Sequence, residues 1–123
     1  MVTICIIDDD KIYQTLLKKT ILRVDDKVSV SSFYNGLEAF EYFKAYNFNY
    51  EIILIDINMP IMDGWELIEA CEGMCERHEN PPKIYIATSS IYEEDRQKAR
   101  TYAFVKGYIT KPITTKKIEE ILH

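Results

Sequence analysis

Apolar residues along the chain fall into five short runs that are separated by longer amphipathic stretches. Three of the runs are apolar at consecutive positions, which is typical of strands covered on both faces of a parallel sheet. These three are "TICII" (3–7), "EIILID" (51–56) and "KIYIAT" (83–88). Two weaker runs, "VSVSSF" (28–33) and "GYIT" (107–110), are also predicted to be strands.

The segments between these runs carry apolar residues at the three- and four-residue spacing of amphipathic helices. Leu16 and Leu17 are predicted to lie on the buried side of the first helix, and Leu37 on that of the second. Thr114 or Thr115 can cap the start of the last helix. The predicted helices cover residues 13–24, 36–46, 64–77, 92–103 and 114–122.

Strand and helix alternate five times, which predicts right-handed crossovers and a doubly wound α/β fold with a parallel sheet. Ligands of such folds bind outside the carboxyl ends of the strands. Polar residues end or follow four of the predicted strands, and we expect them to converge on one edge of the sheet. They are Asp8, Asp9, Asp56, Thr88 and Lys111.

The first strand runs directly into three aspartates, in "CIIDDD" (5–10). Two like charges about 4 Å apart repel by roughly 1 kcal/mol in water and by more where they are partly buried. A solvated turn would account for each aspartate singly, because Asp at a strand end is often a turn or cap residue. An anionic pocket accounts for their joint placement with Asp56. Mg²⁺ prefers such carboxylates, and with Lys111 nearby the pocket approaches neutrality and can accept a phosphoryl group.

Composition and charge narrow the classes of function. A chain of 123 residues, 47% apolar and 28% charged, suits one compact domain with its own core. The net charge of −5 gives no electrostatic reason to expect nucleic acid or an anionic membrane as a partner. No apolar run approaches the roughly 20 residues of a membrane span, and the first ten residues lack the features of a signal peptide. A cytoplasmic location is the simplest expectation.

Three cysteines, Cys5, Cys71 and Cys75, are too few for a disulfide framework. Cys71, Cys75 and His78 could conceivably hold zinc, but they lack the usual paired spacing of zinc ligands. We favour reduced cysteines in or beside the core, because free Cys mostly behaves as a small buried apolar residue.

Several segments together resemble the receiver domain of bacterial two-component response regulators. They are "IIDDD", "LIDINMPIMDGWELI", "IATSS" and "GYITKP", and "NGLEAF" (35–40) resembles the entry to the family's second helix. The segments span essentially the whole chain in the family's order, and "DINMPIMDG" is the most specific of them. The resemblance implies a flavodoxin-like (βα)5 fold with a five-stranded sheet in three α/β/α layers. It also implies one receiver domain over residues 1–123, without an output domain, similar to stand-alone chemotaxis regulators.

The resemblance assigns the phosphorylation chemistry to particular residues. Asp56 would be the phosphoacceptor, taking its phosphoryl group from a phosphohistidine of a histidine kinase or histidine phosphotransfer protein. Mg²⁺ would be bound directly by the carboxylate of Asp9, and Asp8 would assist directly or through a water molecule. Asp56 and the backbone carbonyl of Asn58 would complete the protein ligands. Asp10 matches no ligand of the family and is interpreted as a solvated loop or helix-start residue.

The resemblance also implies a conformational switch. Lys111 would pair with the phosphoryl oxygens and precede Pro112 in a cis peptide. Thr88 would hydrogen-bond the phosphoryl group, and Tyr108 would follow it inward as the switch aromatic. The face formed by the fourth helix, fifth strand and fifth helix would then change and contact a downstream protein. Such a protein is a phosphoacceptor regulator that catalyses only its own phosphotransfer and dephosphorylation, and is not otherwise an enzyme.

Other residues leave alternatives open. Ser89 is at a position that is commonly small in the family, whereas Ser90 and Asn58 flank the attacking water, so replacing Ser90 is predicted to change phosphoryl lifetime more than phosphoryl acceptance. A solvated helix surface is favoured over a contact face for the basic residues Arg96, Lys98, Arg100, Lys106, Lys116 and Lys117.

Two other functions compete with this interpretation. Aspartate-nucleophile phosphohydrolases usually carry a second Asp two residues after the nucleophile, where this chain has Asn58. A pseudo-receiver would keep the fold as a binding module without phosphorylation, but all the acceptor residues are present here.

Overall fold

The computed structural model describes residues 2–123, in which five strands and five helices alternate along the chain. The strands are β1 (Thr3–Ile7), β2 (Ser29–Phe33), β3 (Ile52–Ile55), β4 (Lys83–Thr88) and β5 (Val105–Thr110). The helices are α1 (Lys11–Val24), α2 (Gly36–Ala45), α3 (Gly64–Arg77), α4 (Glu93–Arg100) and α5 (Thr115–Leu122). The predicted doubly wound, flavodoxin-like α/β fold is confirmed.

All five strands are parallel, in the order β2-β1-β3-β4-β5. The order reverses between β1 and β3, and crevices at such points are the usual ligand sites of open α/β sheets. Ile7 and Ile55 are paired across these two strands. Because the two strands end in register, the residues that follow them, Asp8 and Asp56, leave the sheet side by side.

Each central strand contributes alternate residues to two apolar cores. Cys5, Ile7 and Ile55 lie in the core that is covered by α2, α3 and α4. Ile6 and Leu54 lie in the core that is covered by α1 and α5. Both faces of β1, β3 and β4 are therefore buried, which explains why their sequences are apolar at consecutive positions.

Side-chain caps fix the starts of α1, α2, α3 and α5. The side chain of Asp10 caps α1 by accepting a hydrogen bond from the Tyr13 backbone N–H at 3.0 Å. Asp63 and Glu66 form a reciprocal capping box at α3, and Thr114 rather than Thr115 caps α5. Each cap satisfies backbone donors that the first helical turn leaves free.

Two apolar residues and several element boundaries differ from the sequence prediction. Leu16 is 58% exposed and Leu37 is 36% exposed, whereas Gln14 and Ala39 are buried. Adjacent residues of a helix point about 100° apart, so neighbouring apolar residues such as Leu16 and Leu17 do not show which of them faces the core. Helix α4 ends at Arg100 instead of continuing to residue 103. Among residues 2–123, no helix is long and apolar enough to span a membrane.

Candidate functional site

Acidic and basic side chains from three strand ends meet at the carboxyl edge of the sheet. Asp8 follows β1, Asp56 follows β3, and Lys111 follows β5. The Lys111 ammonium contacts Asp8 Oδ2 and lies 3.2 Å from Asp56 Oδ2. Asp8 and Asp56 are buried, at 2% and 7% exposure. Segments that are distant in the sequence thus form one buried charged site.

The environment of Asp8 opposes its ionisation. Burial raises the pKa of the Asp8 carboxyl, and the hydrogen bond and positive charge of Lys111 oppose that rise without cancelling it. The Asp10 backbone N–H also donates to Asp8 Oδ1, at 2.9 Å. The negative charge of Asp56 adds to the rise. A further positive charge in the site would therefore lower the pKa of this carboxyl.

The donor set of the site suits a hard divalent cation. Asp8, Asp9 and Asp56 each offer a carboxylate oxygen, and these oxygens lie within 4.8 Å of one another. Asp56 Oδ1 is buried and has no hydrogen-bond partner in the part of the chain that the structure describes. A buried acceptor without a partner is costly unless a donor or a cation reaches it. Asn58, two residues further on, has an exposed side chain in the loop after β3.

Thr88 ends β4 beside this site and is fully buried. Its backbone carbonyl accepts a hydrogen bond from the Lys111 backbone N–H at 2.9 Å. Its hydroxyl oxygen accepts from the Ser90 N–H at 3.3 Å. The Ser90 hydroxyl in turn contacts Asp95 in the first turn of α4. The end of β4 is thereby linked to both the lysine loop and α4.

Tyr108 lies within β5, opposite Ile86 and two residues before the strand ends at Thr110. Thr110 is the residue opposite Thr88. The Tyr108 ring is partly buried, and its hydroxyl donates to the Ser90 carbonyl oxygen at 3.2 Å. The peptide between Lys111 and Pro112 is cis.

Gln14 is a functional-site neighbour that sequence reasoning missed. Its side-chain Nε2 donates to the carbonyl oxygens of Ile6 at 3.2 Å, Asp8 at 3.1 Å and Phe33 at 2.8 Å. These contacts hold the ends of β1 and β2 together and fix the backbone of Asp8. The available signal was its position, since residue 14 is spaced three and seven residues before the buried Leu17 and Ile21.

Gly64 allows α3 to start against the backbone of the residues that follow β3. Its N–H donates to the Ile57 carbonyl at 2.8 Å. A Cβ at this position would lie 2.3 Å from the Asp56 carbonyl oxygen. Only glycine permits this approach without movement of the backbone.

Part of the basic cluster borders a cavity between α4 and β5. Arg96, Arg100 and Lys106 line this cavity, whose volume is about 290 Å³. The Arg96 guanidinium lies 4.8 Å from the centroid of the Tyr108 ring and donates to the Thr110 hydroxyl at 2.9 Å. The groove is therefore positively charged beside Tyr108.

The three cysteines are buried and free among residues 2–123. Burial raises the pKa of Cys71 to about 12 and that of Cys75 to about 11. Within the same residues, the aspartate cluster is the one group of three or more potential ligands with metal-ligating geometry. The expectation that the cysteines lie in or beside the core is confirmed.

Fold and site together define a doubly wound α/β protein with an acid–lysine pocket at the switch point of its sheet. The chain belongs to the response regulator receiver domain family, whose sequence profile matches residues 4–123. Members of this family are phosphoacceptor regulators of two-component signalling, and phosphorylation switches them between states.

Individual relatives support the assignment. The chain is 33% identical to the chemotaxis protein CheY of Halobacterium salinarum, over 89% of this chain and 83% of that protein. It is 31% identical to the probable transcriptional regulator ycf29 of Porphyra purpurea, over 88% of this chain but 50% of that protein. The chain thus spans about half the length of some of its relatives. A two-component response regulator from Cytophaga hutchinsonii has a similar structure, with a TM-score of 0.82, 28% identity, and coverage of 99% of this chain and 94% of that one.

Proposed function

We propose that Asp56 is phosphorylated by a histidine kinase or a histidine phosphotransfer protein, and that its phosphorylation switches the α4–β5–α5 surface between two states. The observation that carries the proposal is the placement of Asp56, which is buried beside Lys111 with one carboxylate oxygen unpartnered among the described residues. Receiver domains as a class interact with such kinases or phosphotransfer proteins.

The proposed reaction is a phosphoryl transfer between two side chains. A carboxylate oxygen of Asp56 attacks phosphorus in line with the departing nitrogen of phosphohistidine. An O–P bond forms as the N–P bond breaks, and the imidazole leaves with the bonding electron pair. Such reactions depend on positioning and charge neutralisation more than on covalent help from the protein. Lys111 supplies a compact positive charge beside the acceptor.

Asp8, Asp9 and Asp56 are the residues that would hold Mg²⁺, together with the backbone carbonyl of Asn58. The acidic donor set and the unpartnered Asp56 oxygen fit a hard cation that prefers oxygen ligands. When bound, Mg²⁺ would neutralise the phosphoryl oxygens and relieve the repulsion between them and the aspartates. Asp8 and Asp56 place their carboxylates on the Lys111 side of the site, and Asp9 remains exposed to solvent.

Thr88 and Tyr108 are proposed to carry the switch. The new phosphoryl group would draw the Thr88 hydroxyl away from the Ser90 N–H, and the β4–α4 loop would move with it. That loop contains the Ser90 carbonyl to which Tyr108 donates. The cationic groove of Arg96, Arg100 and Lys106 lies on the same surface, and its charge favours an acidic segment of a downstream protein.

We also propose that the protein works in the cytoplasm and catalyses no reaction other than its own phosphorylation and dephosphorylation. Its three buried, free cysteines are compatible with a reducing compartment.

Phosphorylation with Mg²⁺ and acetyl phosphate, read by intact mass, tests the proposed function. We expect stoichiometric labelling of the wild-type protein and none of Asp56→Asn. The matched control is Asp26→Asn, which should be labelled like the wild type. Asp26 is an exposed aspartate in the loop before β2, at the opposite edge of the sheet from the carboxyl ends of the strands. Labelling of Asp56→Asn would contradict the proposal. Continuous turnover of p-nitrophenyl phosphate would instead indicate a phosphohydrolase.

A further inference from the structure

The aromatic ring of Tyr13 lies directly against the ammonium of Lys111. Lys111 Nζ is 4.1 Å from the ring centroid. The Lys111 side chain is only 14% exposed, so water has little access to this ammonium. A cation over an aromatic face is attracted by the ring quadrupole, and the attraction is strongest where the pair is desolvated.

Two carboxylates and the Tyr13 ring surround the Lys111 ammonium on different sides. Asp8 and Asp56 bind the ammonium through their carboxylates, and Tyr13 covers a further side of it. Lysine has a long, flexible stem and forms no fixed fork of donors, so two carboxylates alone leave it several rotamers. An aromatic wall restricts those rotamers without adding a competing hydrogen bond.

Helix α1 brings Tyr13 to this position. The helix starts at its cap residue Asp10, directly after Asp8 and Asp9. The Asp10 side chain accepts a hydrogen bond from the Tyr13 backbone N–H. One helical turn therefore connects the acidic end of β1 to the lysine that follows β5. The Tyr13 hydroxyl is buried and has no hydrogen-bond partner within residues 2–123, so the ring carries the contact and the hydroxyl does not.

We propose that Tyr13 is a positioning residue, whose ring holds the Lys111 ammonium beside Asp56 in the geometry needed for phosphoryl transfer. The inference rests on the proposed phosphorylation of Asp56. It assigns Tyr13 no proton transfer and no contact with the incoming phosphoryl group. The effect of Tyr13 on the phosphorylation rate should therefore depend on its aromatic ring and not on its hydroxyl.

Two substitutions separate the ring from the hydroxyl. Tyr13→Leu keeps an apolar side chain but removes the aromatic face, whereas Tyr13→Phe removes only the hydroxyl. With acetyl phosphate and saturating Mg²⁺, we expect Tyr13→Leu to lower the maximal phosphorylation rate about tenfold. The acetyl phosphate concentration at half-maximal rate should stay the same. Tyr13→Phe should restore the rate to within about threefold of the wild type.

Tyr34 provides a matched control. Lys11 Nζ lies 5.5 Å from the centroid of the Tyr34 ring, so this pair has the same chemistry outside the site. Tyr34→Leu should be phosphorylated like the wild type. Urea unfolding of each variant checks that it is folded, and Tyr13→Met repeats the test with a second apolar side chain if Tyr13→Leu does not fold.

A second readout does not depend on phosphorylation. In the unphosphorylated protein, the ring current of Tyr13 should shift the ¹H signals of the Lys111 ε-methylene upfield. The shift should persist in Tyr13→Phe and disappear in Tyr13→Leu. A wild-type phosphorylation rate in Tyr13→Leu would overturn the inference. An upfield shift that persists in Tyr13→Leu, or an equal loss of rate in Tyr13→Phe, would also overturn it. Failure to label the wild type at Asp56 would refute the proposed function instead, and the ring-current measurement would still decide the geometry.

Discussion

At the scale of single residues, no one side chain identifies the site. The site is indicated only by the joint placement of acidic and basic residues after several strands. Asp8, Asp56 and Lys111 could be placed at one sheet edge from the sequence, because each follows a predicted strand. The roles of Tyr13 and Gln14 could not be predicted in the same way. Helical spacing puts Gln14 on the buried face, but it does not say that a side chain meets backbone carbonyls or a lysine there.

Ser90 is predicted to affect the lifetime of the phosphorylated state more than its formation. The Ser90 hydroxyl contacts Asp95 and accepts a hydrogen bond from the Tyr92 N–H at 3.4 Å. These contacts connect the end of β4 to α4. Ser90→Ala should change the first-order dephosphorylation rate severalfold while the rate of phosphorylation by acetyl phosphate changes less. Ser29→Ala, at the far end of the sheet, serves as the control. Equal changes in both rates would refute the prediction.

At the scale of helices and strands, apolar patterning identified every element, and the errors lie at boundaries and helix faces. The central strands were predictable because burial on both faces requires consecutive apolar residues. Helix α4 was predicted too long because it buries only Ala99, and Tyr102 and Ala103 continue the helical spacing of apolar residues beyond its end.

The start of α3 gives a test of close backbone packing. Gly64→Ala places a Cβ against the Asp56 carbonyl and should lower the free energy of unfolding by about 2–4 kcal/mol. Gly73→Ala in the same helix is the matched control, because its Cβ would meet only the flexible Arg77 side chain, at 3.1 Å. That control should raise stability by about 0.5–1 kcal/mol. Urea denaturation measures both, and equal effects would contradict the structural reason.

The loop between β3 and α3 contains a strained residue. Ile61 has φ of 70°, which a β-branched side chain rarely adopts, and it is 73% exposed. Asparagine tolerates this conformation, so Ile61→Asn should raise the free energy of unfolding by about 0.5–1 kcal/mol. Ile91→Asn, at another highly exposed isoleucine without positive φ, should change it by less than about 0.5 kcal/mol. A loss of stability in Ile61→Asn would show that the side chain has a packing role that outweighs the strain.

At the scale of the whole molecule, binding of Mg²⁺ should be coupled to folding. A cation that binds the assembled aspartates but not the unfolded chain adds about 2.7 kcal/mol of stability at about 100 times its Kd. Mg²⁺ should therefore raise the urea midpoint of the wild type. The increase should be smaller in Asp9→Asn, which removes a carboxylate of the cluster, and unchanged in Asp26→Asn. An equal increase in both variants would place the cation elsewhere.

The strand order also has a consequence for how the chain is made. β1 lies inside the sheet, between β2 and β3, and it precedes both of these partners along the chain. Its partner β2 ends at Phe33, and its other partner, β3, is complete only once Ile55 has been synthesised. Until β3 has been synthesised, one edge of "TICII" has no neighbour, so the nascent chain exposes an unpaired apolar strand to chaperones.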